Sequence, residues 1–406
     1  MKSKSIIFFI IFTLLTSTIC FAADSVYVWS NNNANTNNTL QTVSSVEDNN
    51  SLNLESGSAI LIEQKTGKVL YSHNSHEKLR PASVTKVMSI LLIMEAIDSG
   101  KIKLDTIIPC SENAHSMGGS QIWLDTTETL TVKDMLKSIC VVSANDCTVA
   151  MAEYIGGSEE AFVQMMNTRA KQLGMNDTTF KNCHGIDEDG HVTSSYDIAL
   201  MSKELLNNHP EITEYTTIWM DSIRDGKSEL VNTNKLVRNY KGATGLKTGS
   251  TSLALYNLSA SATRDDLSLI AVIMKAPTTK VRFSEATKLL DYGFTNYTSK
   301  CFGNKGDIIK TVDVNRGIQS QVNLVLEDDA CVLIKKGDTG NISQNIIINE
   351  NISAPIKQGD VLGKIQYKAG EQILIEKNLI ADSDIEKSNL CNITTSLYLK
   401  WFNMCR

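Results

Sequence analysis

A serine and a lysine stand three positions apart in RPASVTKVMS, residues 80–89, after a proline and before a long apolar run. Three positions are close to one helical turn, so Ser83 and Lys86 face the same side of a helix that begins near Pro81. Burial lowers the pKa of a lysine, and a neutral amine can accept a serine proton. The pair therefore predicts a nucleophile that is activated without a histidine.

The same spacing has a simpler interpretation, a helix N-cap with an incidental lysine. A second pair with this spacing, Ser75 and Lys78, lies in a polar segment that begins no apolar helix. The interpretation of Ser83 therefore depends on what accompanies it further along the chain.

Two further motifs carry polar groups. VVSANDCTVA places Ser143 and Asn145 at a helix boundary, from which a hydroxyl and an amide can project into a cleft. ATGLKTGSTSLAL places Lys247, Thr248 and Gly249 at the start of a strand, where a glycine permits a ligand to approach the backbone closely.

Order and spacing join the three motifs. Ser143 follows Ser83 by 60 residues, and Lys247 follows Ser143 by 104 residues. A second KTG, at 65–67, precedes the serine and is predicted to be a hairpin turn. The combination is the signature of class A β-lactamases and penicillin-binding proteins, which this chain resembles.

The surrounding elements predict an α/β domain. GSAILIEQ and KVLYSHN form a hairpin, the run after Ser83 is a buried helix that stops at Gly100, and residues 131–205 are mostly helical. KTGSTSLALYNLSASAT and LSLIAVIMKA are predicted as two adjacent strands that turn at RDD, followed by a helix over 280–292. Strands from both ends that enclose a helical middle indicate one sheet flanked by helices.

The C-terminal part has a different pattern. Short alternating segments after about residue 298, separated by Gly and Asp turns, predict a small all-β domain. SNLCNITTSLYLKWFNMCR then carries a helical apolar stripe, which suits a helix lying in a membrane interface or docking on its own domain. The stripe consists of Leu390, Ile393, Leu397, Trp401 and Met404.

The N-terminus has the pattern of an export signal. Two lysines precede an apolar run and small residues, which predicts cleavage after Ala22 or Ala23; the alternative is an uncleaved membrane anchor. Residues 24–56 are rich in Asn, Ser and Thr and predict a disordered tether. Removal of the signal takes two lysines and no acid, so the net charge falls from −6 to −8. An acidic exported protein is a poor candidate for binding nucleic acid.

Cysteine and histidine spacing predicts no metal site and no cofactor. The eight cysteines beyond Cys20 form no CxxC or Cys/His cluster, and they are equally compatible with disulfides and with small core residues. His184 and His191 could suggest a Ser/His/Asp arrangement with Asp187 or Asp189. The chain has no GxSxG elbow, so both histidines are predicted to be loop residues.

The resemblance is closer to the low-molecular-mass penicillin-binding proteins that are D-alanyl-D-alanine carboxypeptidases of the serine β-lactamase/transpeptidase superfamily. It covers the chain from about residue 57 to the end, through TGKVLY, PASVTKVM, VSANDC, HVTSSYDIALMS, the KTG strand and PIKQGDVLGKIQYK. The resemblance implies an antiparallel sheet flanked by helices, an exported enzyme of peptidoglycan biosynthesis at the outer face of the bacterial membrane, and covalent inhibition by β-lactams.

The resemblance also implies roles for the motif residues. Ser83 attacks the carbonyl between two terminal D-alanines, Lys86 is the acylation base, and Ser143 with Lys247 relays a proton to the leaving amine. Asn145 holds the substrate amide, and the backbone N–H groups of Ser83 and Ser250 form the oxyanion hole.

The terminal carboxylate of the substrate is expected to meet Lys247, Thr248 and Arg282, because a guanidinium matches carboxylate geometry. Many members carry a histidine after KTG, where this chain has Ser250. The alternative for Arg282 is a solvated helix residue.

Three alternatives remain open. A DD-endopeptidase would use the same residues on peptidoglycan crosslinks. A class A β-lactamase would need an ExxLN glutamate, and KELLN at Glu204 has the wrong spacing. The third alternative is a wall-binding protein with a disabled site, and the three intact motifs argue against it.

The predicted domains follow from these patterns. They are a signal peptide over 1–22, the tether over 23–56, a DD-peptidase domain over 57–297, a small β-rich domain over 298–385, and an amphipathic membrane-association helix over 386–406.

Overall fold

The computed structural model describes residues 52–337 and 342–389. Up to residue 276 it contains nine strands, which are, in chain order, β1 (Ser58–Glu63), β2 (Val69–His73), β3 (Ile107–Pro109), β4 (Thr129–Thr131), β5 (Met220–Ile223), β6 (Ser228–Val231), β7 (Ala243–Thr251), β8 (Leu255–Arg264) and β9 (Leu267–Ala276). Five of them form one antiparallel sheet in the order β2-β1-β9-β8-β7. Strands from the two ends of the domain therefore meet in one sheet, as predicted.

Helices occupy the middle of the domain and its end. They are α1 (Lys86–Asp98), α2 (Glu112–His115), α3 (Val132–Val141), α4 (Asn145–Gly156), α5 (Glu159–Gln172), α6 (Ser195–Asn208), α7 (Thr213–Thr216), α8 (Leu236–Asn239) and α9 (Thr279–Asn296). A 3₁₀ turn, Ala82–Thr85, leads into α1. The predicted helix over 280–292 is thus confirmed and is slightly longer at both ends.

The sheet separates two apolar cores. Successive side chains of a strand point to opposite faces. Ile60 and Ile62 of β1 accordingly pack into the core that holds α1 and α3 to α6, whereas Ala59 and Leu61 pack into the core that holds α9. Helix α1 is surrounded by the sheet and the other helices of this core, which explains why it is apolar on nearly all sides.

The prediction for the KTG segment was wrong in its strand count. The run expected to form one strand is divided between β7 and β8 by a turn over 252–254, and Leu255 has a φ of +56°. KTG consequently lies within β7, at the edge of the sheet, and β8 and β9 form the hairpin that turns at Asp265 and Asp266.

Contacts with the domain begin before residue 57. Leu52 and Leu54 pack beside the second core, and the backbone N–H of Glu55 donates to Glu285 Oε1 at 2.5 Å. Ser56 donates to the other oxygen of the same buried carboxylate. The last residues of the predicted tether therefore belong to the folded domain.

Seven further strands follow this domain along the chain. They are β10 (Tyr297–Cys301), β11 (Ile308–Asp313), β12 (Gln321–Leu326), β13 (Cys331–Lys335), β14 (Ile342–Ile348), β15 (Val361–Ala369) and β16 (Gln372–Ala381). Five of them form a sheet in the order β11-β12-β16-β15-β14, and β10 pairs with β13. The expected small β domain is confirmed.

The described cysteines include both a disulfide and buried core residues, the two possibilities that the sequence left open. A disulfide joins Cys301 to Cys331 across β10 and β13. The free cysteines of the described residues are buried and lie in the catalytic part of the chain; they are Cys110, Cys140, Cys147 and Cys183.

Several predictions lie outside the described residues. These are the signal peptide, most of the tether, and the apolar stripe from Leu390 onwards, with Cys391 and Cys405. Among the residues that are described, none of the helices has the length and apolar character needed to cross a bilayer.

Candidate active site

Ser83 lies in the 3₁₀ turn that leads into α1, at a point where the backbone is tightly constrained. The preceding residue, Ala82, has a φ of +49°, a left-handed conformation that is uncommon for a residue with a Cβ. Gly249 of β7 packs directly against this turn, and a Cβ added to Gly249 would lie 2.9 Å from Ser83 N. The turn is held against the edge strand, and the Ser83 side chain is half-buried.

Lys86 is completely buried beneath Ser83. Its Nζ lies 3.1 Å from Ser83 Oγ, 2.6 Å from Asn145 Oδ1 and 2.7 Å from the carbonyl oxygen of His184. Burial, and then the charge of Lys247, hold the pKa of Lys86 well below its usual value. In the neutral amine, two N–H groups can serve the two carbonyl acceptors while the lone pair faces Ser83 Oγ.

The SxN motif joins α3 to α4. Ser143 has a φ of +68°, is buried, and its Oγ has no hydrogen-bond partner among the described residues. Asn145 begins α4, and its Nδ2 donates to the carbonyl oxygen of Gly118 at 2.7 Å. The amide therefore spans from Lys86 to the 118–124 loop, and the unpaired hydroxyl of Ser143 is available to a further group.

Lys247 is the second buried lysine of the site. Its Nζ donates to the carbonyl oxygen of Thr248 at 2.9 Å, and burial lowers its pKa to about 7. Thr248 Oγ1 lies 2.7 Å from Thr233 Oγ1. The Ser143 hydroxyl and the Lys247 amine are not hydrogen-bonded to each other in this state.

Arg282 lies on α9 and is only 5% exposed, so the alternative of a solvated helix residue was wrong. Its Nη1 donates to the carbonyl oxygens of Gly249 at 3.3 Å and Asn257 at 3.2 Å, and burial lowers its pKa to about 10. Arg282 thus supports the KTG strand from below, while the neighbouring Ser250 is exposed at the strand surface.

The predicted residues therefore form two contact groups. Ser83, Lys86 and Asn145 are joined by hydrogen bonds, and Arg282 contacts the backbone of β7, which carries KTG. Gly249 connects the groups by its close approach to Ser83.

The 182–191 loop also contributes to the site, which was not predicted from the sequence. The His184 carbonyl accepts from Lys86, and an added Cβ on Gly185 would lie 1.9 Å from the Ala82 carbonyl oxygen. Both loop histidines are buried. These contacts join residues about 100 positions apart, so local spacing carries no signal for them.

A Ser/His/Asp triad is absent from this site in the described residues. The His184 imidazole faces Glu159, with Nε2 3.4 Å from Oε1. His191 Nε2 contacts Thr85. The group beside Ser83 Oγ is the Lys86 amine.

A serine beside a buried lysine, at the start of a helix that packs against an antiparallel sheet, is the arrangement of a serine acyl-transfer enzyme. The sequence profile of the D-alanyl-D-alanine carboxypeptidase family matches residues 42–278, and that of the penicillin-binding protein 5 C-terminal domain matches residues 297–387. The chain belongs to the D-alanyl-D-alanine carboxypeptidase family.

Individual relatives agree with this assignment. D-alanyl-D-alanine carboxypeptidase DacF of Bacillus subtilis is 46% identical over 82% of this chain and 87% of its own length. Penicillin-binding protein 5 of Haemophilus influenzae superposes with a TM-score of 0.71 at 30% identity, over 82% of this chain and 98% of that structure. A Listeria monocytogenes penicillin-binding protein in its ampicillin-bound form has a TM-score of 0.55 at 30% identity, over 59% of this chain and 98% of that one.

Proposed function

We propose that this protein is a serine-type D-Ala-D-Ala carboxypeptidase, which removes the terminal D-alanine from peptidoglycan stem peptides through an acyl-enzyme on Ser83 and which β-lactams inhibit. The observation that carries the proposal is the 3.1 Å contact between Ser83 Oγ and the fully buried amine of Lys86. Burial lowers the pKa of Lys86, which favours the neutral amine that a general base requires.

Acylation begins when Lys86 accepts the Ser83 proton and Oγ attacks the carbonyl carbon of the penultimate D-alanine. The new negative charge on the carbonyl oxygen is stabilised by the backbone N–H groups of Ser83 and Ser250. Because the donor at residue 250 is a backbone group, a serine in place of the family's histidine preserves it.

Collapse of the tetrahedral intermediate breaks the C–N bond. The leaving amine takes a proton through Ser143, whose hydroxyl has no other partner among the described residues, and Lys247 replaces that proton. Protonated Lys247 uses one N–H on the Thr248 carbonyl and keeps two for Ser143 and the substrate. Water then attacks the ester carbonyl and gives its proton to the neutral Lys247 amine. The bond from the carbonyl carbon to Ser83 Oγ breaks, Oγ takes back the proton held by Lys86, and the shortened peptide leaves with a new carboxylate.

The terminal carboxylate of the substrate is bound by the KTG strand. Lys247 supplies the charge and Thr248 supplies a hydroxyl. Arg282 adds positive potential from behind the strand, where its guanidinium is already bound to backbone carbonyls. This arrangement selects peptides with a free C-terminus, whereas a crosslink-cleaving endopeptidase must accept a blocked one.

A class A β-lactamase would need a glutamate that activates the deacylating water, and Glu204 is not free for this role. Glu204 lies on α6 and accepts from Arg169 Nη2 at 2.5 Å, while Arg169 Nε binds Glu95 of α1 at 2.7 Å. Glu204 thus takes part in an ion-pair network that joins three helices, and we expect slow release of β-lactam adducts.

The test of the function is D-alanine release from a peptide that ends in D-Ala-D-Ala. Wild-type protein should release D-alanine and Ser83→Ala should not, because only the attacking hydroxyl is removed. Ser75→Ala, from the other SxxK pair of the chain, is the matched control and should retain activity. Release by Ser83→Ala would refute the assignment, and cleavage of a crosslinked dimer without D-alanine release would favour the endopeptidase.

We further propose that the protein works at the outer face of the bacterial membrane, exported by residues 1–22 and held by an amphipathic helix over 386–406. The stripe of apolar residues beside Lys400 and Arg406 supports this location. Deletion of residues 388–406 should release active protein from membranes. Continued membrane retention of the deleted form would implicate the N-terminal segment instead.

A further inference from the structure

His191 is a buried histidine beside the nucleophile turn, and it has no part in the mechanism described above. The residue is 2% exposed, and its ring packs edge-on against Phe180 at 5.9 Å between centroids. Its Nε2 lies 2.8 Å from Thr85 Oγ1. Thr85 stands between the nucleophile and its base in the sequence, and it is itself fully buried.

The hydrogen bonds around His191 determine its proton position. The backbone N–H of Lys181 donates to Nδ1 at 3.0 Å, so the proton of the neutral ring is on Nε2. Burial lowers the pKa of His191 to about 4, although Asp187 raises it and Arg80 and Lys181 lower it further. Nε2–H therefore donates to Thr85 Oγ1 at neutral pH.

Thr85 continues the chain of hydrogen bonds to Ala82, the residue before the nucleophile. Its Oγ1 donates to the carbonyl oxygen of Ala82 at 2.8 Å. His191 and Thr85 each accept one hydrogen bond and donate one, so a continuous chain of hydrogen bonds runs in one direction from the Lys181 N–H to the Ala82 carbonyl.

The Ala82 carbonyl and the Ser83 N–H belong to one peptide unit. That unit is planar, and the C=O and N–H bonds of a trans peptide point in opposite directions. A hydrogen bond that fixes the carbonyl therefore also fixes the direction of the N–H at the other end. Because Ala82 adopts a left-handed φ, its backbone has little intrinsic preference for this orientation and needs such support.

The packing of the 182–191 loop is consistent with this role. A Cβ on Gly185 would lie 1.9 Å from the Ala82 carbonyl oxygen and 2.9 Å from Ser83 N. The loop thus contacts the same peptide unit directly through Gly185 and indirectly through His191.

We propose that His191 is a positioning residue that, through Thr85, aims the Ser83 N–H at the oxyanion formed during acylation. The proposal rests on the proposed function, in which this N–H is an oxyanion donor. It assigns to His191 no contact with the substrate and no proton transfer in the reaction.

The test measures acylation by a fluorescent penicillin under stopped flow, which separates the dissociation constant of the non-covalent complex from the first-order acylation rate. His191→Leu and Thr85→Val should each lower the acylation rate on the order of tenfold, less than the loss of a whole oxyanion donor. The dissociation constant should stay within about twofold of the wild type, because a merely structural defect would weaken binding as well.

Conservative variants keep the test independent of folding. Thr85→Ser retains the hydroxyl and His191→Gln retains an N–H donor, and both should recover most of the rate. The double variant His191→Leu/Thr85→Val should be no slower than either single one, since both break the same chain. His209→Gln, which changes a buried histidine that faces Asp98 at the end of α6, should acylate like wild type.

Two results would overturn the inference. If His191→Leu and Thr85→Val acylate at the wild-type rate, or if rate and binding fall together without rescue by Thr85→Ser, His191 does not aim the oxyanion donor. A wild-type protein that penicillin does not acylate would instead refute the proposed function, and the inference with it.

Discussion

Lys86 and Lys247 are both buried, and their different surroundings divide their roles. Lys86 contacts two carbonyl oxygens and the nucleophile, and burial together with the charge of Lys247 lowers its pKa. Lys247 has a pKa of about 7, which allows it to be protonated in the free enzyme near neutral pH. One amine can thus act as the base while the other binds an anion and supplies a proton.

The first prediction concerns the pH dependence of acylation by penicillin. Lys247 has a lowered pKa, so it is cationic below about pH 7 and neutral above it. The second-order acylation rate should therefore fall as the pH rises through this value. In Lys247→Arg the fall should move to higher pH, because a guanidinium keeps its charge. An unchanged alkaline limb in the arginine variant would show that another group titrates.

The second prediction concerns the base. Lys86→Ala should reduce acylation by roughly 10²- to 10⁴-fold, the usual contribution of a general base. Lys78→Ala removes the lysine of the polar SxxK pair and is the matched control. Near-normal acylation of Lys86→Ala would mean that the base lies elsewhere.

At the scale of elements, the site depends on β7 lying directly against the turn that precedes α1. Gly249 makes this contact possible, since an added Cβ would lie 2.8 Å from Val84 N and 2.9 Å from Ser83 N. Both atoms belong to the backbone, so neither can move aside as a flexible side chain would.

The third prediction follows from this contact. Gly249→Ala should lower acylation by at least about tenfold, because the turn must shift relative to the KTG strand. Gly57→Ala is the control, since its Cβ would meet side-chain atoms of Lys275, the nearest at 3.0 Å, and no backbone atom. Wild-type acylation by Gly249→Ala would contradict the close approach. Thermal unfolding should be measured for both variants to exclude a general loss of structure.

The elements differ in how far the sequence predicts them. Apolar alternation and Gly turns were sufficient to predict β1, β2 and the C-terminal domain. The apolar run after Ser83 was sufficient to predict α1. The division of the KTG run into β7 and β8 was missed, because a short turn over 252–254 interrupts the run without a proline or glycine.

The site is predictable from the sequence only where it depends on motifs. The positive φ of Ser143 and the burial of Arg282 arise from packing between distant segments. The position of His191 also arises from packing between distant segments, and from the sequence this histidine was predicted to be a loop residue outside the site. Its contact with Thr85 spans 106 positions and appears only in the folded chain.

At the scale of the whole chain, the small β domain contacts the catalytic part through apolar side chains of its β10–β13 strand pair. Tyr297 and Leu333 pack beside the second core of the catalytic part. The Lys65–Asp329 ion pair at 3.2 Å is substantially exposed and contributes little to stability. All the predicted site residues lie before residue 297, so the β domain is not expected to affect the chemistry.

The fourth prediction tests this separation. Replacement of Cys301 and Cys331 by serine opens a disulfide with a sequence separation of 30, which should cost about 3.6 kcal/mol of unfolding free energy through the unfolded chain. Calorimetry should show a lower unfolding temperature, and a reducing agent should affect the wild type but not the variant. Acylation by penicillin should remain unchanged. A parallel loss of acylation would show that the two parts are coupled.

The most direct test of the central claim is to locate the penicillin adduct by peptide mapping and mass spectrometry. We expect the adduct on the peptide containing Ser83, with the bond on this residue, and we expect Ser83→Ala protein to form no adduct. An adduct on Ser75, Ser143 or any other residue, or one that still forms in Ser83→Ala, would contradict the account.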